Sequence, residues 1–273
     1  MSTLYLVATP IGNLEDISAR ALRILKTVRL IAAEDTRHTL KLLSHFDVHT
    51  HLISYHEHNK LRRLDDVLAA LAQGDVALVS DAGTPALNDP GYELVRAVLE
   101  AGHKISPIPG ASAPIAALTA SGLPTDAFLY LGYLPRKGSE RRSKLEEIAG
   151  QPFTLIFLES PHRLLDSLAD LQSVLGDRSC AVARELTKLH EEIFRGKISE
   201  AIAHFTAQPA RGEFTLVIDG NYAPDRMRWS EAQLRTAMQE RRERGESPSE
   251  LAKGLATESG WERREIYRLI EKI

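Results

Sequence analysis

The sequence predicts an α/β fold made of two α/β domains, followed by a small helical C-terminal domain. Three observations lead there. Strand-length apolar runs alternate with amphipathic stretches through the first two thirds of the chain, the alternation restarts after Gly122 and Pro124, and beyond residue 225 only helical periodicity remains. Alternation at this pace implies a mainly parallel sheet with helices on both faces. A chain of 273 residues is also too long for one small core and suits two domains with an appendage.

The elements follow in order. "TLYLVATP" reads as a buried strand, and residues 17–25 repeat apolar side chains at helical spacing. "VRLIAAEDT" is a second strand ending in acids, and residues 60–71 form a helix. A strand at 76–79, a helix around 94–99, a strand at 105–108 and a helix from Ala113 complete a first domain, 1–122. After "SGLPTDAF" come a strand at 128–131, a charged helix at 139–149, a strand at 154–158 and a helix at 163–175. A strand at 181–183, a helix near 199–206 and a strand at 214–218 close the second domain, 123–222. Beyond "NYAPDRM" the domain 225–273 opens with a polar helix from Ser230 to Arg244. Two short helices around Ser259-Gly260 follow, with small residues on the first and Trp261, Ile266, Tyr267 and Ile270 on the second, as helix-turn-helix packing needs.

Composition bounds the function. With 43% hydrophobic and 26% charged residues the chain is an ordinary globular protein, and no apolar run is long enough to cross a bilayer. Cys180 is the single cysteine, which excludes an internal disulfide and a cysteine-based zinc cluster and fits a reducing compartment. The N-terminus lacks the basic and apolar segments of a secretory signal. A net charge of −3 argues against nonspecific coating of nucleic acid, though not against a local basic patch.

Four predicted strand ends carry chemistry. They are Thr9-Pro10-Ile11-Gly12-Asn13, Glu34-Asp35-Thr36-Arg37, Ser80-Asp81-Ala82-Gly83-Thr84-Pro85 and Pro109-Gly110-Ala111-Ser112-Ala113. Each alone is ordinary turn or cap chemistry. Together they share the edge of one sheet where open α/β folds bind ligands. Gly12 stands alone, so the G-x-G-x-x-G fingerprint of a dinucleotide site is missing.

These residues carry a resemblance. "VATPIGNLEDIS", "AAEDTRHT", "VSDAGTPALNDPGY", "PGASA", "LESPHRL", "ARELTKLHEE" and "GEFTLVIDG" resemble the tetrapyrrole-methylase-like S-adenosylmethionine-dependent methyltransferases. The match is closest to their ribosomal RNA branch, the small-subunit rRNA ribose 2′-O-methyltransferases I, and spans roughly residues 3–220. Two departures from the porphyrin-precursor enzymes, at 9–13 and 80–85, point away from tetrapyrrole substrates. Leu158 stands where an aromatic residue is expected.

The resemblance implies 2′-O-methylation of a ribose, a cytidine, in 16S rRNA within a 30S subunit, by a cytoplasmic homodimer with no membrane partner. It implies S-adenosyl-L-methionine in a cleft between the two α/β domains. Asp81, Gly83 and Thr84 would lie beside its methionine end, with Ser112 and Ala113 in contact; Pro10, Ile11, Leu131, Phe157, Phe214 and Thr215 would flank the adenosine. A methyltransferase for a porphyrin or corrin precursor and a noncatalytic nucleic-acid-binding regulator are the alternatives.

Methyl transfer to a ribose hydroxyl calls for a base and a cation. Glu185 with Lys188 is one such set, and Glu34 with Arg37 a second; the sequence does not choose between them. Glu159 reads as a helix cap. The histidines of "HFDVHTHLISYHEH" lack a coordination pattern such as H-E-x-x-H, so no metal is expected and they read as solvated loop residues. Basic residues gather at Arg136, Lys137, Arg141, Arg142 and Lys144, at Arg241, Arg242 and Arg244, and at Arg263, Arg264 and Arg268; the first group suits phosphate contact.

Overall fold

The structure, a computed structural model, describes residues 2–208, 211–221 and 229–270. Residues 222–228 and 271–273, which the expected second and third domains include in part, lie outside them.

The first sheet contains β1 (Thr3–Val7), β2 (Leu30–Ala33), β3 (Leu52–Ser54), β4 (Val76–Val79) and β5 (Lys104–Ile108) in the order β3-β2-β4-β1-β5. Every pairing is parallel. Parallel strands need crossovers, and the helices α1 (Ala19–Thr27), α2 (Thr36–His45), α3 (Lys60–Leu71) and α4 (Tyr92–Glu100) supply them. Strand periodicity sorts the core. Ile31, Ala33, Ala77 and Val79 pack against Leu25 of α1 and Leu43 of α2, whereas Leu30, Ala32, Val76 and Leu78 pack against Val67 of α3 and Leu94 of α4. Because all five strands run the same way, the loops after β1, β2, β4 and β5 emerge along one edge.

The helix α5 (Ala113–Ser121) packs on the second sheet, where Ala117 and Leu118 meet Ile156, Ala181, Ala183 and Val217. That sheet contains β6 (Phe128–Tyr133), β7 (Thr154–Glu159), β8 (Ser179–Arg184), β9 (Glu192–Lys197) and β10 (Phe214–Ile218) in the order β6-β7-β10-β8-β9. Only β6 and β7 are parallel; the other three pairings are antiparallel, which corrects the parallel arrangement that alternation suggests. The cause is local: β8 and β9 join through a short loop, and a short loop admits only an antiparallel neighbour. The helices α6 (Gly138–Ile148), α7 (Leu164–Leu175) and α8 (Ile198–Ala207) complete this half.

A separate compact unit comprises 148–153 and the C-terminal region from Gly220. Its helices α9 (Glu231–Glu243), α10 (Pro248–Ser259) and α11 (Arg263–Ile270) bury Leu234, Met238, Leu251, Leu255 and Ile266. Trp261, Tyr267 and Ile270 pack on that core. Ser230 and Ser247 start α9 and α10 with capping boxes, and Gly260 ends α10 in the left-handed conformation at φ 69°.

Candidate active site

The four strand-end loops are stitched together by hydrogen bonds. Thr9 and Gly83 exchange backbone bonds of 2.9 and 3.0 Å, and Thr9 Oγ1 donates to the Ser80 carbonyl at 3.2 Å. The Asp35 N–H donates to Asp81 Oδ1 at 3.0 Å, and the Asp81 N–H to Glu34 Oε2 at 3.3 Å. Thr84 Oγ1 donates to the Ala111 carbonyl at 3.3 Å. Gly83 sits at φ +80°, a conformation that a side chain would strain.

Two adjoining cavities open where these loops face the second sheet. The first, about 230 Å³, is walled by Ile11, Gly83, Thr84, Ser112 and Ala113 on one side and by Tyr130, Tyr133, Leu158, Phe214 and Thr215 on the other. Four carboxylates line it, those of Glu34, Asp81, Asp89 and Glu213, and no lining residue is Lys, Arg or His. The second, about 340 Å³, shares Ile11, Asp81, Ala82 and Glu213 with the first and adds Pro10, Leu14, His38, Lys41, Leu42 and Lys188.

Crowding of acids sets their acidity. Burial, then the charges of Glu34 and Asp81, pushes the Asp89 carboxyl up to about 6 against a hydrogen bond with Ser80. Burial also raises Glu34, with the neighbouring charges of Asp81 and Asp35 adding to it and the Asp81 N–H opposing. Burial pushes the Tyr130 phenol up to about 12, with help from Tyr133 and Asp89.

The loop after β8 closes the second cavity. Lys188 Nζ lies 2.8 Å from Glu185 Oε1 and 3.0 Å from Glu213 Oε2, and the Glu213 N–H donates to Glu185 Oε1 at 3.0 Å. Partial burial works to raise the Glu185 carboxyl, but the bonds from Lys188 and Glu213 outweigh it and hold the group below the ordinary range. Glu185 and Thr187 adopt φ of 48° and 66°, left-handed values uncommon outside glycine. The Asn13 N–H donates to Thr187 Oγ1 at 3.0 Å, so the first-domain loop is clasped by the second. Gly12 permits this: a Cβ there would collide with Lys188 Cγ and stand 2.8 Å from Thr187 Oγ1 and 3.0 Å from the Leu186 carbonyl oxygen.

Most of the sequence-expected residues therefore converge. Ile11, Asp81, Gly83, Thr84, Ser112, Ala113, Phe214, Thr215 and Glu34 line the first cavity, and Pro10 and Lys188 the second. Leu131 and Phe157 line neither; their neighbours Tyr130 and Leu158 do, while Phe157 is fully buried in the sheet. Glu185 lies behind Lys188 rather than in a cavity. Arg37 is exposed and paired with Asp35 at 2.6 Å. Asp89, Glu213, Tyr130 and Tyr133 are lining residues that the sequence does not single out; Asp89 and Glu213 stand within the motifs "VSDAGTPALNDPGY" and "GEFTLVIDG", which was the signal available for them.

The basic cluster near residue 140 is largely neutralised. Arg141 is buried against Asp170 at 2.6 Å, and Arg142 reaches the same carboxylate at 3.1 Å. Lys137 and Lys144 pair with Glu140 and Glu147. Glu159 is buried, accepting from the Ser160 N–H at 2.8 Å and from Ser167 Oγ at 2.6 Å, so it fastens the start of α7. Among the described residues no group of three His, Cys, Asp or Glu side chains is placed to hold a metal ion.

The sequence matches the tetrapyrrole (corrin/porphyrin) methylases over residues 3–202. The chain belongs to this family. Within it, the ribosomal RNA small subunit methyltransferase I of Synechocystis sp. is 51% identical over 271 residues, covering 98% of this chain and 97% of that protein. The protein of the same name from Halalkalibacterium halodurans is 47% identical over 274 residues, covering 98% and 94%. Among solved structures, the methyltransferase CobJ superposes with a TM-score of 0.61 at 18% identity, covering 81% of this chain and 95% of that one. Uroporphyrin-III C-methyltransferase from Thermus thermophilus, complexed with S-adenosyl homocysteine, gives 0.56 at 20% identity, covering 81% and 98%. These likenesses establish the tetrapyrrole methylase fold, with its two α/β domains, for this chain.

Proposed function

We propose that this methylase transfers a methyl group from S-adenosyl-L-methionine to a ribose 2′-hydroxyl, that of a cytidine, in 16S rRNA within the 30S subunit. The observation that carries the reading is the sign of the first cavity. A sulfonium and an ammonium are cations, and four carboxylates, with no basic residue in the lining and Lys188 pairing Glu213 alone of the four, suit them. Likeness to the rRNA small subunit methyltransferases I over nearly the whole chain supports the RNA acceptor.

In this reading Asp81 and Glu213 hold the cationic groups of the cofactor. The α5 start at Ser112, whose side chain makes no capping bond, receives its carboxylate, and Ile11, Leu158 and Phe214 give the adenosine apolar surface. Bound S-adenosyl-L-methionine supplies an electrophilic methyl on a positively charged sulfur. The chain must position the acceptor and manage one proton. Glu34 and Asp89, with acidity weakened by burial, are better matched to take that proton than Glu185, which Lys188 keeps ionised and occupied. Lys188 stabilises negative charge developing on the ribose oxygen.

Residues 1–122 and 123–222 then act as the two halves of the enzyme, and 225–273 as an RNA-binding appendage whose α11 exposes Arg264 and Arg268. Exposed Leu61 of α3 and Tyr92 and Leu99 of α4 support association of two copies, which sedimentation would detect. A cytoplasmic site of action follows from the substrate. The deciding experiment maps 2′-O-methyl groups by mass spectrometry in rRNA from cells with and without the gene. Loss of one site is expected, and an unchanged map refutes the reading. Calorimetry should show cofactor binding that Asp81→Ala weakens by about 1–3 kcal/mol.

A further inference from the structure

We infer that the second cavity is the seat of the acceptor nucleotide, and that Lys41, on the outer face of α2, binds the phosphate beside the methylated ribose. The inference rests on the proposed RNA methylation and adds a place and a residue to it. The cleft is divided by charge. The first cavity has four carboxylates and no basic side chain in its lining, so it disfavours a phosphodiester. The second shares only Asp81 and Glu213 of those acids and brings in Lys41, Lys188 and His38.

These basic residues differ in what already holds them. Lys188 is engaged by Glu185 and Glu213. His38 Nδ1 stands 3.9 Å from Asp81 Oδ2. Lys41 is exposed, lines the cavity, and forms no ion pair among the described residues. A lysine in that condition at a cavity rim is available to a phosphate. In the same lining the apolar surfaces of Pro10, Leu14 and Leu42 offer a base and sugar something to rest on. The partition formed by Ile11, Asp81 and Glu213 is then where acceptor and methyl donor meet.

The test uses the full-length protein, 30S subunits lacking the methyl group, and a salt series. Lys41 is exposed on a helix surface, so Lys41→Ala should fold normally. KM for subunits should rise about 5–10-fold with kcat within about twofold, and the slope of log affinity against log salt should fall by about 1. Lys41→Arg should restore both, and S-adenosylmethionine affinity should stay unchanged in each variant. If the wild type methylates subunits and Lys41→Ala leaves KM and salt slope untouched, the seat is elsewhere while the proposed function stands. A change in cofactor affinity with no change in salt slope also overturns it. If the wild type fails to methylate subunits, both readings fall.

Discussion

Replacing Gly12 by alanine tests the clasp between the two halves of the methylase. The added methyl would run into Lys188 Cγ and would meet Thr187 Oγ1 at 2.8 Å and the Leu186 carbonyl oxygen at 3.0 Å. The last contact is with backbone, so the loop must move along with the Lys188 side chain. Overpacking of this kind costs about 1–3 kcal/mol, and losing the Asn13–Thr187 hydrogen bond adds about 1 kcal/mol. The loop is partly exposed and can give way, so stability should fall by less than that sum, about 1–2 kcal/mol in a urea titration. Activity should suffer more. Lys188 follows Thr187 directly, and a displacement of about 1 Å at a positioning group can cost about 100-fold in rate. Single-turnover methylation of 30S subunits is the assay, with calorimetry showing cofactor affinity within about threefold. Gly74→Ala, whose methyl would meet only Arg29 at 3.5 Å, is the control and should behave as wild type. A Gly12→Ala protein with normal rate and normal stability would refute the idea that this close approach positions Lys188.

Asp89→Asn should stabilise the protein at pH 7.5 but not at pH 4. The carboxyl rises in the fold from 3.8 to about 6, so its stabilising contribution is complete below the unfolded value and disappears as pH climbs through about 6. Two units correspond to about 3 kcal/mol at full strength, and screening at this half-buried position leaves about 1 kcal/mol, measurable by urea unfolding at the two pH values. Lys188→Ala should lower single-turnover methylation about 100-fold with little change in cofactor binding; a normal rate would remove Lys188 from acceptor activation and leave it to Glu34 and Asp89. Arg141→Ala should cost about 2–4 kcal/mol by removing a buried guanidinium and one partner of half-buried Asp170, yet leave the salt dependence of RNA binding unchanged. A flattened salt slope would show that Arg141 reaches RNA after all.

The first sheet was readable because β2 and β4 are buried on both faces and its helices carry sharp apolar stripes. β3 was not: Leu52–Ser54 is a three-residue, half-buried strand lodged among histidines. β9 was missed because "EIFRGK" is an edge strand, and charged side chains that protect an edge erase the apolar signal. Strand direction is likewise invisible in composition, which is why the second sheet read as parallel. Leu131 and Phe157 illustrate a subtler limit. In "FLYLGY" and "TLIFLE" almost every position is apolar, so alternation gives no hint of which parity faces the cleft. Motif-bearing loops fared better, since Asp81, Gly83 and Ser112 announce themselves by type. The role of Glu213 became visible only when β10 brought it opposite Lys188.

The strand order β3-β2-β4-β1-β5 also imposes a timetable on synthesis. The first strand made, Thr3–Val7, has both of its neighbours in β4 and β5, and the later of these ends at Ile108. At about 5–20 residues per second, roughly 5–20 s separate the appearance of β1 from that of its last partner. Until β4 is complete at Val79, β1 and β2 stand without the central strand that joins them, because β2 also waits for β4. A nascent chain in this state is a natural client for a chaperone at the tunnel exit. Slowing translation within the first hundred codons should lower the soluble yield more than the same delay placed after β10.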